Sequence, residues 1–143
     1  MPVAYQIDTH QRLVCISATG TVTVAELLAL FDAIRGDTDF TPDCSLFSDY
    51  RGIRPLDLDV DGIDALAQNA VDIEPHRCRI ILVDNTLNYG IGRMYQSHME
   101  IYAKTPALIT SSLTTVRDEL TRVGIDYNRV CQMIGSSSLP NTR

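Results

Sequence analysis

The run "RCRIILVD", residues 77–84, decides the fold. Ile80, Ile81, Leu82 and Val83 follow one another without a polar break, whereas a strand with one wet face would alternate. A near-continuous apolar run reads as a central parallel strand buried on both faces, and such strands lie in sheets covered by helices. The neighbouring segments supply those helices. Downstream, "NTLNYG" reads as an exit loop, followed by a helix from about residue 91 to 104 and a fifth strand over 106–110. A helix over 113–123 stopped by Gly124 comes next, then one short helix over 126–134. Upstream, "VDGIDALAQNAV" sets Ile63, Leu66, Ala67, Ala70 and Val71 on one helical face, and Pro75 closes it. Before it lies a short strand over 45–49.

The first third repeats the pattern. In "TVTVAELLALFDAIRG", Val24, Leu27, Leu28, Phe31 and Ile34 share one helical face, Thr23 and Glu26 have the spacing of a capping box, and Gly36 is placed as a stop. Residues 4–8 and 13–18 read as two strands of a hairpin around "THQR". The expected fold class is therefore α/β. It has a mostly parallel five-stranded sheet with an N-terminal hairpin, joined by right-handed crossover helices. A chain of 143 residues suits one domain. We expect it to span 1–135, with 136–143 as a flexible C-terminal tail.

Charge narrows the function classes. With 12 basic against 18 acidic side chains the formal charge is −6, and the pI is about 4.8. Nucleic acid and anionic membrane surfaces would be repelled unless a local basic patch offset that sign, and the sequence has no such Lys/Arg cluster. The acidic "DLDVD", residues 57–61, reads as a solvated helix start. No apolar run approaches the ~20 residues of a membrane span. The opening "MPVAYQID" has neither the basic nor the apolar region of a signal peptide. Cys15, Cys44, Cys78 and Cys131 are widely spaced with no C-x-x-C pair. We expect reduced, mostly buried thiols in a cytoplasmic protein, with Cys44 in an exposed loop.

Chemical signatures are sparse. His10, His76 and His98 lack ligand spacing and any carboxylate partner pattern, so no metal is expected. Gly90-Ile91-Gly92 lacks the third glycine and the acidic residue of a dinucleotide fingerprint and reads as a tight turn, so no cofactor is assigned. With no G-x-S-x-G elbow and no cysteine beside an evident histidine, no catalytic residue is assigned and the chain is not expected to be an enzyme.

The opening "YQIDTHQRLVCISATGTVTVAELLALFDAI", the strand ending "LFSDYRGI" and the later "NYGIGRMYQ" resemble the SpoIIAA-like proteins of the STAS-like superfamily, to about Val123. The resemblance implies a compact α/β domain. It also implies a role like that of anti-sigma-factor antagonists, which bind a partner kinase and are switched off by phosphorylation of a serine. In phosphorylated members the third strand leads into Asp-Ser-Ser/Thr-Gly at a helix start, where a phosphate meets free backbone N–H groups. Here Asp49 and Gly52 match, but Tyr50 and Arg51 stand between them and the switch hydroxyl is missing.

In an open parallel sheet, ligands bind outside the carboxyl ends of the strands. Loops 20–23, 49–55 and 84–93 are expected to meet there, joining Asp49, Tyr50, Arg51 and Arg54 to Asn85, Asn88, Tyr89 and Arg93. The three arginines need compensation near helix N-termini. An anionic ligand held by bidentate hydrogen bonds supplies it, and so does an ion pair with Asp49 or Asp84. The helix that follows carries Met94, Tyr95, Met99, Ile101 and Tyr102 over more than one face. One face packs on the sheet, and Met94, Tyr95, Met99 and Tyr102 are candidates for an interface as well as for ordinary packing. Two readings follow. One is a protein-interaction domain with a protein partner, including itself as a homodimer. The other is a carrier or sensor of a small anionic or lipid-like ligand.

Overall fold

A computed structural model of the chain describes residues 3–54, 59–70, 77–84, 86–102 and 107–133. Along the chain run β1 (Val3–Asp8), β2 (Leu13–Gly20), α1 (Val24–Arg35), β3 (Ser45–Ile53), α2 (Val60–Ala70), β4 (Arg79–Leu82), α3 (Thr86–Tyr102), β5 (Ala107–Thr110), α4 (Leu113–Arg122) and α5 (Tyr127–Met133). Asn85, Pro55, Val71, Pro75, His76, Pro106 and the tail 136–143 lie outside the described residues.

The five strands form one sheet in the order β1-β2-β3-β4-β5. The β1–β2 pair is antiparallel and the other three pairs are parallel, so the expected α/β architecture holds. Because each parallel crossover steps in the same direction, right-handed connections put α1, α2 and α3 on one face. The core divides accordingly. Leu27, Phe31, Leu66, Ala67 and Met99 pack with Val14, Ile16 and Leu46 on that face. Val116, Leu120 and Val130 of α4 and α5 pack with Leu13, Cys15, Phe47, Ile80 and Leu82 on the other.

The capping box forms as the spacing requires: Glu26 N–H donates to Thr23 Oγ1 at 3.1 Å, and Thr23 N–H donates to Glu26 Oε1 at 3.1 Å. Gly36 ends α1, but at φ −84°, so the stop does not depend on glycine there. Gly124, at φ +82°, does occupy the left-handed region that favours glycine.

Two boundaries differ from expectation by more than two residues. β3 does not end at Asp49 but continues through Tyr50, Arg51, Gly52 and Ile53, with a register shift against β2 between Ser17 and Thr19. Gly52 faces Thr19 so closely that a Cβ there would sit 2.8 Å from Thr19 Cγ2, which keeps the two backbones paired only without a side chain. Likewise α3 begins at Thr86, absorbing the expected loop "TLNYG". Gly90 and Gly92 are thus helix-interior residues, not a tight turn, and only one is needed. A Cβ on Gly92 would lie 2.9 Å from Cγ2 of Ile109, a β-branched residue with little freedom to turn away, while a Cβ on Gly90 meets nothing within 4 Å. Gly90→Ala should stabilise by about 0.5–1 kcal/mol through helix propensity. Gly92→Ala should destabilise by about 1 kcal/mol net, because overpacking outweighs the same gain. Urea midpoints of the two variants should move in opposite directions, and shifts of one sign would contradict the close approach.

Candidate functional site

A sheet whose parallel strands run in unbroken order has no topological switch point, so its strand ends open no crevice of the expected kind. The cavity lies elsewhere, between the sheet and the layer of α1, α2 and α3. Its volume is about 70 Å³, and it is open on one side. The floor comes from alternate residues of two strands, Ser48 and Tyr50 of β3 with Arg79 and Ile81 of β4. Leu27 and Phe31 of α1, Ile63 and Leu66 of α2, and Asn88, Ile91, Gly92 and Tyr95 of α3 close it over.

The polar side chains of this wall are directed at one another and at the backbone. Arg79, 5% exposed, donates from Nη1 to Tyr95 Oη at 3.4 Å and from Nη2 to the Ala70 carbonyl at 3.2 Å. Asn88 donates to the Ile53 carbonyl at 3.1 Å, tying the start of α3 to the end of β3. Ser48 lies beside the Tyr50 hydroxyl. Burial pushes the Tyr50 phenol up, with Tyr95 alongside adding to the shift, against the pull of Ser48 and the Arg79 charge. Burial also pushes Tyr95 up, with the charge and hydrogen bond of Arg79 acting against it.

The eight residues expected at one mouth are divided by the sheet. Side chains alternate along β3, so Tyr50 faces the cavity while Asp49 and Arg51 share the opposite side. There Arg51 grips Asp49 with both ends of its guanidinium, Nε to Oδ1 at 3.0 Å and Nη2 to Oδ2 at 3.1 Å. The Asp49 side chain is 7% exposed and that of Arg51 20%. Of the two means of compensation expected for Arg51, the structure forms the ion pair. Arg54 and Arg93 are exposed and form no ion pair with any described residue, and none of the three arginines lines the cavity. Asn88 lines the cavity and Tyr89 is exposed on the first turn of α3. Asn85 lies outside the described residues.

The interface candidates also divide. Met99, 1% exposed, is a core residue, and Tyr95 lines the cavity; Met94 and Tyr102 stay on the surface with Tyr89 and Ile101. Residues 88, 92, 95 and 99 form the inward stripe of α3, and Met94 and Ile101, seven apart, form a second stripe on the outside. Between α2 and α3, Asp64 accepts from Tyr102 Oη at 2.9 Å and from Gln68 Nε2 at 2.6 Å, and lies 2.9 Å from His98 Nδ1. His98 therefore has the carboxylate partner that the sequence pattern did not disclose. The hydrogen bonds from His98 and Tyr102 hold the Asp64 carboxyl below the usual carboxylate range.

Arg79 and Ser48 are the polar cavity residues that sequence reasoning missed. A signal existed: Arg79 is a charge inside the run that decides the fold, and the period of two puts it on one face with Ile81 and opposite Ile80.

The cysteines correct another expectation. Cys44 is buried at 1% exposure rather than exposed, and Cys15 and Cys78 are buried as well, while Cys131 is half-buried. All four are free thiols. Burial pushes Cys15 up to about 12 and raises Cys78. Because the thiolate is the nucleophile, native protein at pH 8 should consume about one equivalent of a thiol reagent, at Cys131, and the other three should react only on unfolding. Peptide mapping that finds Cys15 alkylated before unfolding would contradict the packing described.

No helix of the described residues is long and apolar enough to cross a membrane, and no group of three or more His, Cys, Asp or Glu among them could hold a metal ion. No family model matches the chain, and no curated protein matches it by sequence. Among solved structures it is similar to an uncharacterized DUF3478-family protein with a SpoIIAA-like fold from Shewanella loihica PV-4. That match has TM-score 0.53 and 14% identity, covering 85% of this chain and 93% of that one. It is also similar to an anti-sigma factor antagonist from Mycobacterium paratuberculosis, at TM-score 0.49 and 16% identity, over 85% of this chain and 93% of that one. The protein described here has a SpoIIAA-like α/β fold.

Proposed function

We propose that the chain is a non-catalytic interaction domain that binds another protein, and pairs with a second copy of itself, through the outer face of α3. The supporting observation is the pair of large apolar side chains on that outer stripe, Met94 at 42% and Ile101 at 73% exposed, with Tyr102 at 39% beside them toward α2. Val60, 56% exposed, extends it: it lies one turn before Asp64 on α2, as Met94 lies one turn before His98, the partner of Asp64 across the seam. Contiguous exposed apolar surface marks contact sites, and Tyr and Met are enriched at protein interfaces. The titratable groups around the cavity are an arginine and two phenols pushed up by burial, a poor set for proton transfer at neutral pH, which supports the non-catalytic reading. Tyr50 stands between Asp49 and Gly52, with its side chain in the cavity wall beside Ser48. That placement supports regulation by ligand or expression level rather than by phosphorylation at this position.

Native mass spectrometry over a concentration series tests the surface. The wild-type chain should dimerise, and Ile101→Lys should be monomeric while keeping its stability within about 0.5 kcal/mol, as an exposed substitution does. A dimer that survives both Ile101→Lys and Met94→Lys would move the interface off α3, and a monomer at every concentration would remove the self-pairing. The cavity favours a second reading, a small-molecule carrier or sensor, whose ligand class is argued next.

A further inference from the structure

We infer that the cavity under α1, α2 and α3 takes a neutral, slender aliphatic molecule rather than an anion; this rests on the carrier reading of the domain. The lining is dominated by aliphatic and aromatic side chains, with Ile16, Leu46, Ile53 and Val83 adding to the residues already described. A ligand here gains by leaving water, not by neutralising charge. Of the polar side chains present, Arg79 donates to Tyr95 and the Ala70 carbonyl and Asn88 to the Ile53 carbonyl, Ser48 lies beside the Tyr50 hydroxyl, and Arg79 Nε, which has no hydrogen-bond partner among the described residues, is itself buried. An anion would have to give up its hydration for a lining that is almost wholly apolar. The surface arginines offer no substitute, since Arg51 is bound to Asp49 across the sheet and Arg54 and Arg93 face solvent.

Size narrows the class further. The cavity's 70 Å³ is about half of the ~150 Å³ that admits a benzene ring in an engineered apolar cavity. An alkyl chain fits where a ring does not, and the open side lets its far end stay outside. Tyr50, Ile91, Gly92 and Tyr95 are the half-buried members of the lining and so mark that opening.

Isothermal titration of the full chain with hexanol, octanol and decanol, beside hexanoate, octanoate and decanoate at pH 8, tests the inference. Affinity for the alcohols should rise about fourfold per methylene until the chain outgrows the site, the increment expected for a buried CH₂. Each carboxylate should bind at least tenfold more weakly than its matched alcohol. Ile91→Phe, which fills the opening, should lose at least tenfold for the alcohols, with Leu66→Phe on the α2 wall as the alternative if that variant does not fold. Tighter binding of the carboxylates would overturn the neutral class and leave the carrier reading standing. No heat from either series up to the solubility limit would overturn both. Undiminished binding to the filled variant would place the site outside this cavity and overturn the inference.

Discussion

Phe47→Ala should cost about 3–5 kcal/mol, the range for removing a fully buried aromatic ring. Phe47 is 0% exposed in the middle of β3, between Cys15 of β2 and Ile80 of β4. It is the largest of the fully buried side chains and packs in the cluster beneath α4 and α5. The lost ring removes transfer free energy and leaves a space that two flanking strands, held by ladder hydrogen bonds, cannot collapse to fill. Domains of this kind hold only about 5–15 kcal/mol in total, so the variant should melt roughly 10–20 °C lower. Chemical denaturation should show a lower midpoint with an unchanged slope. A loss below about 1 kcal/mol would mean that α4 and α5 are not seated on this face of the sheet. The prediction is independent of the cavity, which lies on the opposite face.

Asp49→Leu should cost about 3 kcal/mol, the low end for stranding one member of a buried ion pair. The low end applies because the Arg51 side chain keeps 20% exposure and can turn partly toward water. Arg51→Leu should cost a similar amount by leaving the Asp49 carboxylate, at 7% exposure, without its guanidinium. The double replacement Asp49→Leu with Arg51→Leu should recover most of both losses, because two apolar groups leave no stranded charge. The double-mutant cycle should therefore give a coupling above about 3 kcal/mol, more than half of the two losses taken together. Coupling below about 0.5 kcal/mol would show that the pair does not hold the sheet, and would return Arg51 to the list of residues available to a ligand or partner. Because the pair lies across the sheet from the cavity, alcohol binding should be the same in the double variant as in the wild type.

How much of this was legible from residues differs between fold and site. The run from Ile80 to Val83 announced a strand buried on both faces, and Thr23 with Glu26 announced the start of α1; both are local statements, made true by backbone geometry within a few residues. Leu27, Phe31 and Ile34, and Ile63, Leu66, Ala67 and Ala70, are legible as buried helical faces for the same reason. The boundaries missed at β3 and α3 share a cause. Gly52 and the pair Gly90 and Gly92 look like turn residues, but Gly52 and Gly92 are there for close approach, to Thr19 and Ile109, which are distant in sequence.

Sequence by itself determined an acidic α/β domain with a hairpin followed by parallel strands, because hydrophobic period, caps and breakers act over one or two turns of chain. Tertiary structure alone decided what those elements bring together. Packing α2 beside α3 gave His98 its partner Asp64, and packing α3 over the sheet buried Met99 while leaving Met94 and Ile101 outside. The strand order closed the expected crevice and put the cavity beneath the helices instead. The pleat of β3 separated Tyr50 from Asp49 and Arg51, neighbours in the chain, onto opposite sides of one sheet. Such facts depend on which surfaces meet, and the free energy that chooses them is summed over contacts far apart in the sequence, where no local pattern records it.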